Sequence, residues 1–140
     1  MNAKKLSLII AGIGLAISIY LTILRYTSAL PLVCPNNGII NCAHVLTSQY
    51  STIFGVPNAV LGIVFFVAEM FVIMKYFGTE EMLLLNAIGL LFVLYYMFAE
   101  YVLSSICIFC TGVHICVLAL LIISIKHYGK HDNRVSASTS

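Results

Sequence analysis

Four stretches of nearly unbroken apolar sequence organise this chain: Leu6–Leu24, Val56–Met74, Met82–Leu103 and Ser104–Ile125. Each is close to the ~20 residues that a helix needs to cross the hydrocarbon core of a bilayer. The third and fourth are contiguous, and a turn is predicted near Ser104–Ser105. Polar positions inside the stretches are sparse and periodic. At ~100° per residue, Asn58, Gly62, Phe65 and Glu69 share one face of the second helix. Asn86, Gly89, Tyr96 and Glu100 share one face of the third. Along the first, Ser7, Ala11, Gly14, Ser18 and Thr22 form a stripe of small residues, which lets membrane helices approach closely. Ionisable groups at membrane depth turn toward protein or water, so these faces are expected to line a bundle interior.

Composition supports the same class. The 140 residues are 61% hydrophobic and 9% charged, against about 25% charged in soluble domains. Too few polar groups remain to coat a soluble surface. The expectation is an all-α integral membrane protein, a four-transmembrane-helix bundle with a large outer loop between helices 1 and 2. One membrane domain would cover 1–126, with the outer loop at 26–56 and a polar tail at 127–140 that is expected to fray. Lys4 and Lys5 before the first apolar run also fit a cleaved signal peptide. The length of that run and its small-residue stripe favour a retained helix.

Basic residues set the orientation. With both termini cytoplasmic, Lys4, Lys5, Lys75, Lys126, Lys130 and Arg134 all lie inside and only Arg25 lies outside. The expected location is the cell membrane, multi-pass, with the long loop on the outer face. That loop carries Pro31, Pro35 and the turn signal Asn36-Asn37-Gly38. From Cys42 to Tyr50 it reads as a short amphipathic helix at the interface. Phe54-Gly55-Val56-Pro57 re-enters the membrane, with Pro57 in a first helical turn.

Cysteine placement carries the chemistry. Of five cysteines, Cys107 and Cys110 form a C-x-x-C at the head of the fourth helix, and Cys34 and Cys42 sit in the outer loop. The orientation above brings all four to the oxidising side, where disulfides persist. A helix N-terminus favours thiolate over thiol, and the thiolate is the species that attacks a disulfide. A loop pair beside a C-x-x-C dithiol suggests a relay of electrons between water and lipid. Packing cysteines and a purely structural loop disulfide are the plainer alternatives. Structural zinc is disfavoured by the C-x7-C spacing, and haem attachment by Thr111 after Cys110; no metal site is expected. Cys116 points off the cysteine face and reads as packing. His44, His127 and His131 read as solvated, though His44 is near enough to Cys42 to assist proton transfer. His114, one turn below Cys110, and Asn58 each have two readings, a ligand contact or local satisfaction.

These residues resemble the vitamin K epoxide reductase family in its microbial form. The resemblance rests on Cys34-x7-Cys42, on the run from Cys42-Ala-His-Val-Leu to Phe54-Gly55-Val56-Pro57-Asn58-Ala-Val-Leu-Gly62, and on Cys107-Ile-Phe-Cys110, and it covers almost the whole chain. The order differs from the bacterial quinone-linked disulfide oxidase, whose C-x-x-C lies in the first outer loop. The resemblance implies a thiol oxidoreductase supporting disulfide-bond formation, with catalytic Cys34, Cys42, Cys107 and Cys110. A thioredoxin-like protein would attack at Cys34, Cys42 would attack Cys107, and Cys110 would engage a membrane quinone such as ubiquinone or menaquinone. The vertebrate enzyme has an asparagine contacting quinone at the position of Ser51, and a tyrosine at that of His114. Asn58 is assigned to quinone binding by its helical face instead, and His114 by its position. No fused thioredoxin-like domain follows the fourth helix, so the partner is expected to be a separate polypeptide, and no nucleic-acid partner is expected. The competing class is a non-enzymatic membrane protein or transporter subunit with a structural loop disulfide, for which Glu69 and Glu100 are the best support.

Overall fold

With no water in the hydrocarbon core, each apolar stretch must satisfy its backbone internally, and helix is the only conformation that does so within one segment. In a computed structural model, which describes residues 2–27 and 36–139, four helices are long and apolar enough to cross a membrane: α1 (Ala3–Thr27), α3 (Asn58–Tyr76), α4 (Glu80–Leu103) and α5 (Ile108–Thr139). Between the first two lie β1 (Asn36–Asn37), β2 (Ile40–Asn41), α2 (Cys42–Thr47), a single 3-10 turn at Gln49–Ser51, β3 (Thr52–Ile53) and β4 (Val56–Pro57). The strands form two minimal antiparallel hairpins, β1–β2 and β3–β4.

The bundle is held by close approach of small residues. Helix α1 lies against α3 and α5, and α4 against α5 and α3. Ser7, Ala11, Gly14 and Ser18 are all buried, so the small-residue stripe is the packing face of α1. Gly14 makes room for the ring of Phe66, and a Cβ on Gly62 would lie 2.7 Å from Ser18 Oγ. Serine and threonine hydroxyls on this face bond carbonyls one turn back, Ser7 to Ala3 at 2.9 Å and Thr22 to Ser18 at 2.8 Å, so they need no partner across the interface. At the other end, Lys4 Nζ donates to the Met74 carbonyl at 2.7 Å, tying the start of α1 to the end of α3.

Three boundaries differ from the sequence expectation. Helix α3 starts at Asn58, with Pro57 before the first turn as its cap residue rather than within it. The turn between α4 and α5 falls at Ser104, which adopts φ 49° and donates its N–H to the Glu100 and Tyr101 carbonyls. Ser105 and Ile106 continue as extended chain, which moves the start of the last helix from Ser104 to Ile108. The tail does not fray: α5 continues to Thr139. His127, expected to be solvated, is half-buried with its ring 5.1 Å from that of Phe77. That contact anchors the tail's first turn beside the α3–α4 connection. Cys34, Pro31 and Pro35 lie outside the described residues.

Candidate functional site

The site is assembled where the loop between α1 and α3 meets the turn before α5. In β1–β2, Gly38 takes φ 69° at the hairpin turn, which brings Ile39–Asn41 alongside Ile106. A parallel bridge joins Ile40 and Ile106. Ile106 N–H donates to the Ile39 carbonyl at 2.7 Å, and Asn41 N–H donates to the Ile106 carbonyl at 3.2 Å. The residues that follow these two segments are Cys42 and Cys107. Both are buried, at 1% and 0% exposure, in one apolar cluster with Leu21, Leu24, Leu46 and Ala59. The cysteine-bearing segments are therefore docked by backbone pairing, a link that sequence spacing does not reveal. Asn41 also caps α2, its side chain accepting from His44 N–H at 3.0 Å. His44 is exposed yet engaged, its Nδ1 lying 3.0 Å from Ser105 Oγ, so it spans the same two segments.

Cys42 is disulfide-bonded, whereas Cys107, Cys110 and Cys116 are free thiols. Cys107 occupies the cap position of α5. Its carbonyl accepts from Thr111 N–H at 2.9 Å and its sulfur accepts from Cys110 N–H at 3.4 Å. A sulfur in that position is the counterpart of an oxygen cap, and it sits at the positive end of the helix. The Cys110 thiol, and then the Cys110 and Phe109 N–H groups, hold Cys107 below the ordinary thiol value. Burial and the Glu100 carboxylate oppose them. Cys107 is thus the member of the pair prepared to be a thiolate, and Cys110 the member that donates to it. Cys116 is buried in a separate cluster with Phe66, Val93 and Leu120 and serves packing.

Below the cysteines lies a cavity of about 320 Å³. Asn58 and Gly62 from α3, Gly89, Tyr96 and Glu100 from α4, and Cys110 and His114 from α5 line it, so the polar faces read from sequence converge on one chamber except at Glu69 and Asn86, which pair with each other instead. Val45, Leu46, Tyr50 and Ser51 contribute its roof. Arg25, in the last turn of α1, fixes that roof by donating through Nη1 to the Leu46 carbonyl and, at 2.8 Å, to Ser51 Oγ. Ser51 Oγ in turn donates to the Ser48 carbonyl at 2.7 Å. Asn58 Nδ2 donates to the Tyr50 carbonyl at 2.8 Å, a bond to the roof and not to its own helix. Its Oδ1 is buried without a partner, as is the Tyr96 hydroxyl. His114 is 7% exposed, and its ring stacks on Tyr96, with centroids 6.2 Å apart and planes 7° apart.

Sequence reasoning placed Tyr96 on the inner face without giving it a role, and counted Glu100 only toward a transporter. It used Arg25 only as a topological charge. The two interior carboxylates also part company. Glu69 Oε1 accepts from Asn86 Nδ2 at 2.7 Å within the helix packing, whereas Glu100 Oε1 accepts from the Cys107 N–H at 3.4 Å and lines the cavity. Among the described residues, Glu100 lines this cavity and Glu69 does not. The arrangement joins a disulfide-bearing loop, a dithiol at a helix start and an apolar chamber. A family model for the vitamin K epoxide reductase family matches residues 5–125. No curated protein matches the chain.

Proposed function

This chain belongs to the vitamin K epoxide reductase family, and on that premise we propose that it oxidises a thioredoxin-like protein outside the membrane and delivers the electrons to a membrane quinone. Its general activity is that of a membrane disulfide-forming oxidoreductase. The observation that carries the finer reading is the cavity, which joins Cys110 to unpartnered polar atoms on apolar walls.

The lining suits a quinone. Leu61, Phe65, Phe92 and Val93 offer apolar surface to a ring and its tail, and Asn58 and Tyr96 hold the orphaned polar atoms. Buried polar groups without partners are rare in finished interiors, and those on the wall of a cavity are available to a guest. Asn58, Tyr96 and His114 would hold the ring. When bound, a quinone supplies a two-electron acceptor.

The protein's own steps are thiol exchanges. A partner thiolate attacks Cys34 of a Cys34–Cys42 disulfide, and Cys42 leaves as thiolate. Cys42 then attacks Cys107 of an oxidised Cys107–Cys110 pair, and Cys110 leaves as thiolate beside the cavity. The buried Cys42–Cys107 cluster and the Ile40–Ile106 bridge support this order. The N–H of Cys110 and the helix start favour Cys107 as acceptor and later leaving group. In this reading both termini are cytoplasmic and the loop lies outside.

The test is purification with native lipid. Ultraviolet spectroscopy should detect bound quinone, and a thioredoxin-like dithiol should reduce it in the wild type but not in Cys110→Ala. Quinone whose redox state ignores the dithiol would end the proposal.

A further inference from the structure

Glu100 is the sole carboxylate among the described residues lining the cavity, and it lies between two parts of the cysteine site. Its Oε1 holds the Cys107 N–H at 3.4 Å, while its side chain shares the chamber with Cys110. Tyr96, one turn earlier on α4, shares the chamber too. In the state described, Cys107 and Cys110 are both reduced. Cys107 is the thiol held low, by a hydrogen bond from the Cys110 thiol among other causes. Cys110 therefore keeps its proton, yet it is the cysteine at the cavity wall. Cys110 leaves as a thiolate when Cys42 attacks Cys107, but in the fully reduced pair the proton resides on Cys110, and for Cys110 to react at the cavity from that state the proton must have somewhere to go.

We propose that Glu100 is the proton acceptor for Cys110. The step is balanced within the chain: the Cys110 S–H bond breaks, an O–H bond forms on the Glu100 carboxylate, and Cys110 becomes a thiolate. Closing the Cys107–Cys110 disulfide then forms one S–S bond between that sulfur and the Cys107 thiolate. Two electrons leave for an oxidant of the quinone class, which takes one proton from Glu100 and one from solvent on becoming a quinol. The backbone contact to Cys107 gives Glu100 a second, positioning function that a glutamine would keep, since its amide oxygen accepts the same N–H. Glu100→Gln therefore separates proton transfer from positioning.

The assignment to quinone rests on the function proposed above, so the test has one arm without quinone. Redox-difference infrared spectra of lipid-purified protein, cycled between a dithiol and diamide, should contain a carboxyl band that Glu100→Gln abolishes. In the second arm, single-turnover reduction of an added short-chain quinone by the reduced protein should fall roughly 100-fold or more in Glu100→Gln, the usual size of a lost general base. Exchange of the cysteine pair with a small dithiol should change less than about threefold, as expected for a contact that glutamine preserves. A Glu100→Gln protein with an unchanged carboxyl band and wild-type single-turnover rate overturns the inference. A wild type that shows the band but never reduces quinone overturns the quinone reading and leaves the proton transfer standing.

Discussion

Taking the cysteine end of the bundle as its outer half and the other end as its inner half, the two are built from the same four helices and, among the described residues, each contains two buried polar atoms without partners, but they differ in how those atoms are related. In the inner half they are Glu69 Oε2 and Asn86 Oδ1, which belong to side chains already bonded to each other at 2.7 Å. One proton on the Glu69 carboxyl can serve both, so the pair is complete without anything from outside. In the outer half they are Asn58 Oδ1 and the Tyr96 hydroxyl, on two different helices that wall the cavity. No hydrogen bond among the described residues joins them, which leaves both open to a guest. The lesson is that an orphaned polar atom indicates a ligand when its neighbours form a cavity, and a structural pair when its neighbour is another orphan.

The largest effect that tests this contrast is at the cysteines. Cys107→Ala and Cys110→Ala should each abolish disulfide formation in a cell lacking its own quinone-linked oxidase, while Cys116→Ala, from the packed half, should retain it. Next comes the roof. Arg25→Ala removes bonds from a charged donor to Leu46 and Ser51, each worth about 1.5–3 kcal/mol. Hydrogen exchange across residues 42–51 should accelerate, with the membrane helices unaffected. An unchanged loop would mean that the roof is held by its own packing.

In the inner half, Asn86→Leu leaves the Glu69 carboxyl unpartnered and should lower stability by about 1–3 kcal/mol, measured by unfolding in mixed micelles. Glu69→Leu combined with Asn86→Leu should recover most of that loss, because both partners of a buried pair are then gone. The same logic should fail in the outer half, where Asn58 and Tyr96 are not each other's partners. The smallest effect concerns the ligand. Asn58→Ala or His114→Ala removes one contact, about 0.5–1.5 kcal/mol, and should raise the quinone requirement by up to about tenfold. The partner's affinity should stay unchanged in the same titration. Ser51→Ala is the counter-test: its hydroxyl is already bonded to Arg25 and Ser48, so it should act like a milder Arg25→Ala. His114→Tyr would sharpen the ring assignment by restoring or improving quinone use.

Much of this was legible before any coordinates, because helical periodicity is local. Asn58, Gly62 and Phe65 on α3, and Gly89, Tyr96 and Glu100 on α4, were placed on the inner face by angle alone and do line one cavity. The contacts between segments were not legible. His44 and Ser105 stand 61 positions apart, and Arg25 reaches Leu46 across 21, through a loop with no repeating pattern to fix its path. Tyr96 was found as a face position but not as a functional group, since periodicity cannot say which hydroxyl will lack a partner. The tail misled for a related reason. Its polarity argued for fraying, but its first turn is anchored through His127 and Phe77, and that contact depends on where the α3–α4 turn lies in space.

The bridge between Ile40 and Ile106 has an evolutionary consequence. It holds the segment before Cys42 against the segment before Cys107 through main-chain groups, and every residue but proline has the N–H such pairing uses. The side chains around it are therefore free to vary, and under the proposed function the exposed surface of the loop could be rewritten to meet a different protein while the hand-over beneath it continues. Proline at Asn41 or Ile106 is the exception, because it alone removes a donor from the bridge. In that reading, specificity for the partner and competence for internal transfer are inherited separately, and one can drift without endangering the other.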